Sequence, residues 1–501
     1  MTAGVALLAF VRVVRFGFVY DDGWTLVDNA WLTRPLPELV RLLVSGEALA
    51  RHVPDATRPV MVLVEALERR VFGLAPAGYH LDSLLLYALA CLLATRLALV
   101  LTRQKHVALC AGVFFALAPL HAEPVAAINY REDLLGALGV LGALLLLYSP
   151  DADSTRVNAG QDTFIRRHYA DSTARALGTG ACLALGLFAK ESAVAFVPLA
   201  GLIAFCLPWA RVTLADRRRH LYVLGAVLFV FLAWRVPLAL HGDDVPLAPQ
   251  RPFGAVLLRA ARFEVRAVVD ALLPFFYSPD HWRQPDASFR WAPPCLSLFA
   301  GVALLGKNRE LRVPALGIGI ALLAPLACSP LFRPVNEFAD RYFFLGVLGG
   351  GIVWAWTLDR LLARFELDRA RSFTPLVCLP LLAVTWQATS IWRDERSLWT
   401  AATELTPASP RAWAGLSRVH RIARERDETD RAMARALNAD PNYVPALVSE
   451  LYNDLAFGRI ETAREHLAAL DARKLGNGGG IGKARRCAAL EREAAAACIG
   501  P

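Results

Sequence analysis

The stretch FVYDDGW, residues 18–24, places two adjacent carboxylates directly after a mostly apolar run that covers residues 4–19. Paired acids are costly inside a bilayer and cost little at its edge, where they can take part in proton transfer. The position of Asp21 and Asp22 therefore predicts a catalytic pair at the boundary between lipid and water. The alternative is that the two acids only cap the following segment or mark the end of a membrane span.

The composition of the 501 residues is typical of a polytopic helical membrane protein. Hydrophobic residues make up 55% of the chain and charged residues 20%, and long apolar runs recur along it. The net charge of +9 could indicate nucleic-acid binding, but the arginines fall between the apolar runs. We interpret this charge as membrane topology, following the positive-inside rule, and predict no nucleic-acid partner. The nine cysteines show no metal-ligand or disulfide spacing.

The predicted fold class is all-α, with a membrane helical bundle over residues 1–392. Its first external loop, residues 21–78, contains two stretches with apolar residues at helical spacing, 36–50 and 60–72, which predict amphipathic helices on the membrane surface. The apolar runs predict eleven spans, near residues 4–19, 81–101, 107–120, 134–148, 176–189, 192–209, 221–240, 294–305, 314–328, 342–357 and 375–391.

Residues 253–277 are apolar but carry five charged side chains, too many for a span that faces lipid. We therefore predict that this segment lies flat on the outer surface. The basic loops 307–312 and 360–371 then fall on the cytoplasmic side, and everything after Trp392 is external. Arg, Ala and Leu are abundant and Lys is scarce, which favours a bacterial inner membrane with the external side in the periplasm.

The tail carries an internal repeat. Pro407 and Pro441 are 34 residues apart, which is the tetratricopeptide period. We predict external tetratricopeptide-like repeats over residues 393–475, followed by a flexible linker and a short terminal helix over 476–501. Such repeats would hold an acceptor polypeptide or a partner protein on a concave surface. The alternative is that they merely pack against the membrane domain.

The predicted topology brings acids, bases and histidines to one side of the membrane, as expected for an active site. The external set is Asp21, Asp22, Arg58, Tyr79, His80, His121, Glu123, Arg131, Glu132, Asp133, Lys190, Glu191, Asp340 and Arg341. Each has a structural alternative: His121 and Glu123 could satisfy loop backbone, Lys190 and Glu191 could form an ion pair, and Arg341 could anchor a span.

Six motifs occur in an order that is characteristic of one family. They are FVYDD (18–22) followed by Asn29, RPV (58–60), GYH (78–80), HAEPVAAINYRED (121–133), AKES (189–192) and EFADRYFFL (337–345). With the repeat tail, the chain resembles the transmembrane-and-tetratricopeptide O-mannosyltransferases of the GT-C superfamily and their bacterial relatives. It departs from them at residues 129–132, NYRE where the family usually has GRAE, and in having two to three repeats where relatives often have many.

The resemblance implies transfer of a mannose-like hexose from a polyprenyl-phosphate donor to an external hydroxyl, on protein Ser or Thr. Asp21 or Asp22 is the candidate general base. Positive charge for the leaving phosphate would come from Arg341 and Arg131, with Lys190 and Arg58 beside them. His80 and His121 would orient acceptor or phosphate. Tyr79, Glu123, Glu132, Glu191 and Asp340 complete the candidate substrate-binding set.

No cofactor is predicted. A divalent metal at Asp21 and Asp22 is a weaker alternative, because two adjacent carboxylates without a third ligand make a poor site. Three other functions stay open: a transferase acting on cell-envelope glycan or lipid, a secondary transporter, and a non-catalytic membrane scaffold. A transporter would need polar residues at the membrane midplane and inverted repeats, and neither pattern is visible.

Overall fold

The fold is known from a computed structural model that describes residues 1–148, 161–207, 214–241, 252–282, 289–332, 336, 338–472 and 481–489. All regular secondary structure in these ranges is helical, so the all-α class is confirmed. The chain divides into two compact units. The first comprises Met1–Tyr277 and Asp286–Arg393, and the second Ser278–Pro285 and Asp394–Pro501.

The α-helices of the first unit follow one another without strands in its described part. They are α1 (Thr2–Phe10), α2 (Leu36–Ser45), α3 (Glu47–Ala50), α4 (Pro59–Phe72), α5 (Pro76–Thr102), α6 (Lys105–Ala116), α7 (Ala122–Ala126), α8 (Arg131–Tyr148), α9 (Gln161–Ala189), α10 (Phe196–Cys206), α11 (Leu214–His241), α12 (Phe253–Leu272), α13 (Ala292–Leu305), α14 (Arg312–Leu323), α15 (Gly346–Arg364) and α16 (Pro380–Ile391).

Four segments are long and apolar enough to cross a membrane: Pro76–Thr102, Arg218–Leu238, Arg312–Phe332 and Arg369–Ile391. A fifth crossing results if α6 and the helical segment Pro119–Ala126, bent by 52° relative to each other, count as one span. Shorter apolar helices cover Thr173–Ala189, Glu191–Cys206 and Phe289–Leu305. The protein is therefore a membrane protein by this criterion, and the count of eleven spans stays a prediction.

The predicted first span is not one continuous α-helix. The α-helix α1 ends at Phe10, and the chain continues as a 3₁₀ helix over Val11–Arg15. Nine α-helical residues extend about 14 Å, at 1.5 Å each, which is less than the thickness of the hydrocarbon core. The two arginines at positions 12 and 15 lie within the 3₁₀ turn.

The first loop folds into a small hydrophobic core of its own. The predicted helices there are confirmed as α2, α3 and α4. Gly46, with φ at +79°, ends α2 in the left-handed region, and Pro59 occupies the first turn of α4, where its missing N–H is not needed. The core beneath these helices is built from Leu26, Leu39, Leu42, Val62, Tyr79, Ile128 and their neighbours.

Close packing of α8 on α9 positions the charged residues at their ends. A Cβ atom at Gly139 would lie 2.6 Å from the Cα atom of Gly186, so only glycine fits at this crossing. At Gly136, a Cβ atom would lie 3.0 Å from the Cβ atom of Lys190. The crossing therefore brings the first turn of α8 against the residue that follows α9.

The second unit consists of helix pairs and one short segment from the connection between α12 and α13. Its α-helices are α17 (Glu395–Leu405), α18 (Pro410–Ile422), α19 (Arg426–Ala439), α20 (Val444–Ala456), α21 (Ile460–Ala472) and α22 (Ile481–Ala488). The starts of α18 and α20, and those of α19 and α21, are each separated by the predicted 34 residues. Most of the predicted linker and the end of the chain lie outside the described residues.

Candidate active site

The two adjacent aspartates have different environments. The carboxylate of Asp22 is buried and accepts two backbone hydrogen bonds, from the N–H of Val19 at 3.0 Å and that of Asn129 at 2.7 Å. Burial raises the pKa of Asp22 to about 7, although these two bonds favour the charged form. Asp22 thus joins the first loop to the connection that leads into α8, and its oxygen atoms are occupied by the protein itself.

Asp21 is half-buried and is held by side chains only. Its carboxylate accepts hydrogen bonds from the Tyr130 hydroxyl at 3.0 Å and from the Trp24 indole N–H at 3.2 Å. Burial raises the pKa of Asp21, and the hydrogen bonds from Trp24 and Tyr130 oppose that shift. The preceding residue, Tyr20, has φ at +55°, a conformation that costs free energy for a non-glycine residue.

Arg341 packs on the face of the Tyr130 ring, whose hydroxyl donates to Asp21. Its guanidinium carbon is 3.9 Å from the centroid of that ring. Its side chain pairs with Glu123, whose carboxylate also accepts the Arg341 backbone N–H at 3.0 Å. Asp133 approaches the same guanidinium at 3.8 Å. Asp340 is buried in the same short helix, whereas Glu337 of the predicted motif lies outside the described residues.

A second cluster of charges joins α4, α8 and the end of α9. Lys190 pairs with Glu132, and its nitrogen is 3.5 Å from the Asp133 carboxylate. Arg58 lies 2.7 Å from the other oxygen of Glu132 and 3.1 Å from Glu191. The Arg58 side chain is 22% exposed and that of Lys190 only 7%. Arg58 is therefore the cation of this cluster that an external anion reaches most easily.

Sequence reasoning missed Asp55, which contacts the same cluster. One oxygen of its carboxylate lies 3.2 Å from Arg58, and the other is buried with no hydrogen-bond partner among the residues that the structure describes. Burial and the negative charge of Glu132 raise the pKa of Asp55 to about 6. Asp55 has φ at +52° in the turn before α4. The sequence signal that could have identified Asp55 is its position in the predicted loop, three residues before the predicted site residue Arg58.

Arg131 lies in a separate cluster and is fully buried. Both of its terminal nitrogens contact Glu68 of α4, and one lies 3.3 Å from Asp82 of α5. That nitrogen also lies 3.4 Å from the carbonyl of Tyr79. These contacts tie α4, α5 and α8 together and leave the guanidinium closed to an external phosphate. Glu68 and Asp82 were not among the predicted residues, because their roles depend on packing between distant helices.

The predicted histidines and Tyr79 point into the protein. His80 is buried with Nε2 at 3.2 Å from the Gly17 carbonyl. His121 is buried between aromatic rings, with Nδ1 at 2.9 Å from the Tyr87 hydroxyl and Nε2 at 3.2 Å from the Phe344 carbonyl. The Tyr79 hydroxyl donates to the Gly73 carbonyl at 2.7 Å. All three side chains thus serve backbone and core, and the site is formed by the acids and the cations.

No group of three His, Cys, Asp or Glu side chains suited to a metal ion occurs in the part of the chain that the structure describes. The oxygen atoms of Asp22 face backbone N–H donors. The residues present therefore do not fit the weaker alternative of a metal ion held by Asp21 and Asp22.

Comparison with known proteins gives the same relatives as the motifs. The chain is 36% identical over 149 residues to protein O-mannosyl-transferase Tmtc1 of Drosophila melanogaster, an alignment that covers 28% of this chain and 17% of that protein. It is 23% identical over 467 residues to protein O-mannosyl-transferase TMTC4 of Homo sapiens, covering 81% and 61%. The predicted family resemblance is confirmed.

The alignments to the O-mannosyl-transferases of fly and mouse cover only part of each protein. The alignment to TMTC1 of Mus musculus is 30% identical over 151 residues and covers 29% of this chain and 16% of that protein. The chain thus spans less than a fifth of the length of the fly and mouse relatives, at 17% and 16%. No protein-family model and no solved structure matches the chain.

Proposed function

We propose that this protein is a membrane glycosyltransferase that moves a mannose-like hexose from a polyprenyl-phosphate donor to a Ser or Thr hydroxyl of an external protein. Two independent observations support this proposal. The relatives are named protein O-mannosyl-transferases. The half-buried Asp21 carboxylate lies in contact with Tyr130, and the Arg341 guanidinium packs on the same ring.

Asp21 is the general base in this proposal. The proposal depends on one observation, which is that the Asp21 carboxylate is held by Tyr130 and Trp24 and is only half-buried. The acceptor hydroxyl gives its proton to the Asp21 carboxylate while its oxygen forms a bond to the anomeric carbon. The bond between that carbon and the phosphate oxygen breaks, and the polyprenyl phosphate leaves with the electron pair. Tyr130 and Trp24 hold the carboxylate in place for this step. Asp22 is a positioning residue, because its oxygens are occupied by backbone N–H groups.

Arg58 is the cation that we assign to the leaving phosphate. Its guanidinium is the most exposed of the cations in the two acidic clusters near Asp21, at 22% against 9% for Arg341 and 7% for Lys190. Arginine binds phosphate with two parallel hydrogen bonds, which favours it over lysine in this role. Lys190 and Arg341 balance the acids behind the site. Arg131 is left out of the donor site, because Glu68 occupies its guanidinium.

The membrane arrangement in this proposal is the one that the sequence predicts. Eleven spans place the Asp21 site and the tail on the external side, which is the periplasm if the host is a bacterium. The 34-residue spacing of the helix pairs in the second unit supports tetratricopeptide repeats there. Such repeats would hold the acceptor polypeptide on a concave surface.

Sugar transfer in isolated membranes tests the proposal. Membranes containing wild type, Asp21→Asn, Asp22→Asn or Asp28→Asn receive radiolabelled polyprenyl-phosphate mannose, and label is followed into the protein and lipid fractions. Loss of a general base lowers the rate about 10²- to 10⁴-fold, so Asp21→Asn should lose transfer and keep its thermal stability. Asp28 is exposed in the same loop, and its variant should match wild type.

Asp22→Asn separates the base from the positioning residue. An amide offers one acceptor oxygen where Asp22 offers two, so one buried backbone N–H is left without a partner, at a cost of about 1–3 kcal/mol of folding free energy. We expect a lower unfolding temperature and partial activity in the folded fraction. Label in glycan or lipid would favour an envelope transferase. If no polyprenyl-phosphate donor supports transfer and Asp21→Asn complements a deletion as well as wild type, the transferase proposal is overturned. The non-catalytic scaffold is then the remaining function.

A further inference from the structure

Arg421, in α18 of the second unit, is a buried cation without an anionic partner. The residue is 8% exposed, and among the described residues its side chain makes no ion pair and its Nε atom no hydrogen bond. Each of the two neighbouring arginines has a hydrogen-bond partner. Arg418 pairs with Glu395 at 2.8 Å, and Arg424 donates to the Ala456 carbonyl at 2.9 Å.

Burial and neighbouring positive charges raise the free-energy cost of keeping Arg421 charged. Burial lowers the pKa of Arg421 to about 10, and the positive charges of Arg418 and Arg424 act in the same direction. A buried charge without a counter-charge costs folding free energy. Natural proteins are rarely at their stability optimum, and a destabilised group is often kept where function requires it.

Other polar groups adjoin Arg421 where α18 packs against α20. The Arg421 guanidinium carbon lies 5.8 Å from the centroid of the Tyr452 ring. Asn453, also on α20, donates to the Ser417 hydroxyl at 3.0 Å, one helical turn before Arg421. The Oδ1 atom of Asn453 is buried without a hydrogen-bond partner in the described part of the chain. A cation, an aromatic ring and an amide with an unused acceptor therefore lie together on two neighbouring helices.

We propose that Arg421 is the centre of an anion-binding site that takes a side-chain carboxylate of an acidic polypeptide segment. The planar guanidinium matches a carboxylate through two parallel hydrogen bonds. The Tyr452 ring and the Asn453 amide offer the apolar and polar contacts that an extended peptide needs on either side of that carboxylate. One guanidinium with a single charge is balanced by one carboxylate.

Peptide binding by the full-length protein in detergent tests this site. The probe is a short fluorescent peptide of alternating Glu and Ser, and its control is the same peptide with Gln in place of Glu. We expect the Glu peptide to bind and Arg421→Gln to weaken binding about 10- to 100-fold, as for loss of a charge-assisted hydrogen bond. Arg421→Lys should restore part of the loss, since it keeps the charge without the planar geometry.

A matched control and a second measurement separate binding from folding. Arg431→Gln removes an exposed arginine of α19, whose side chain is 68% exposed, and should leave binding unchanged. Arg421→Gln should keep or raise the unfolding temperature, because it removes an unpaired buried charge. A lowered unfolding temperature with unchanged binding would give Arg421 a structural role and overturn the site.

Two further outcomes would overturn the assignment. The first is equal binding of the Glu and Gln peptides to wild type, and the second is displacement of the Glu peptide by inorganic phosphate at lower concentration than by acetate. The assay contains no sugar donor, so its result is independent of the proposed transferase activity. If transfer fails and the Glu peptide still binds through Arg421, the second unit is a peptide-binding module on a membrane protein of another function.

Discussion

At the scale of single residues, the hydrogen bonds of a carboxylate decide what it can do. Asp22 has two backbone donors and no exposed surface, whereas Asp21 keeps exposed surface and two side-chain donors. Only the second arrangement leaves a carboxylate that an acceptor hydroxyl can approach. The sequence presents Asp21 and Asp22 as equivalent neighbours, and their different hydrogen-bond partners are what distinguish them.

The pH dependence of transfer tests the role of Asp21. A general base acts when deprotonated, and burial raises the pKa of Asp21 above its usual value of 3.8. Transfer should therefore rise with pH along an acid limb whose midpoint lies above pH 3.8. The hydrogen bond from Tyr130 lowers the pKa of Asp21, so Tyr130→Phe should move that limb to higher pH. The measurement is the transfer rate at saturating donor across the acid range.

The control for this shift is Tyr20→Phe. The Tyr20 ring lies 6.0 Å from the Tyr130 ring. Tyr20→Phe removes the neighbouring hydroxyl and keeps both rings, and Tyr130 still donates to Asp21. This variant should leave the acid limb in place. An acid limb that does not move in Tyr130→Phe would assign the titration to another group, of which Asp22 is the nearest in sequence.

The sequence predicted the aspartate pair but could not rank its members. The bond that occupies Asp22 comes from Asn129, 107 residues away. The same limit applies to Arg131, which the motif assigned to phosphate and the fold pairs with Glu68, 63 residues away. Residue type and spacing indicate which chemistry is present, and contacts between distant helices decide which group remains accessible to a ligand.

At the scale of secondary-structure elements, periodicity was sufficient for the first loop. The apolar spacing in residues 36–50 and 60–72 predicted helices that the structure has as α2, α3 and α4. No pattern indicated that Ser278–Pro285 belongs to the second unit. Asp280 of this segment is buried, forms an ion pair with Arg411 and accepts a hydrogen bond from Ser409. These partners are distant in sequence, so only the fold shows the contacts.

The contact between α4 and α8 gives a prediction about stability. The pair of Arg131 and Glu68 is buried on both sides, with side chains 0% and 8% exposed. Arg131→Gln leaves Glu68 without its main counter-charge, and breaking such a pair costs about 3–5 kcal/mol. We expect a large drop in unfolding temperature, measured by tryptophan fluorescence in detergent, with transfer per folded molecule reduced far less than in Asp21→Asn.

The double variant Arg131→Gln/Glu68→Gln should recover much of that stability, because neither charge is then left alone. The exposed pair of Arg34 and Glu38, at 51% and 32%, is the control. Exposed pairs contribute at most about 1 kcal/mol, so Arg34→Gln should unfold near the wild-type temperature. If Arg131→Gln has the unfolding temperature of wild type and loses transfer, Arg131 must instead be assigned to phosphate binding, as the motif suggested.

At the scale of the whole molecule, the number of crossings decides on which side of the membrane each loop lies. Length and apolarity support four crossings, or five with the bent pair, while apolar runs and the positive-inside rule predict eleven. The difference arises because helices such as α10 and α13 are apolar but have only 11 and 14 residues, fewer than the length criterion for a span requires. The behaviour of α12 decides the topology, since one extra crossing there inverts every later loop.

Labelling of single introduced cysteines determines that topology. Arg309→Cys lies in the exposed basic turn between α13 and α14, and Arg431→Cys lies on the exposed face of α19. If α12 lies on the outer surface, a membrane-impermeant maleimide applied to intact cells should label Arg431→Cys and not Arg309→Cys, and both after permeabilisation. The unmodified chain gives the background from native cysteines. Labelling of Arg309→Cys in intact cells would mean that α12 crosses the membrane, because that crossing moves the basic turns outside.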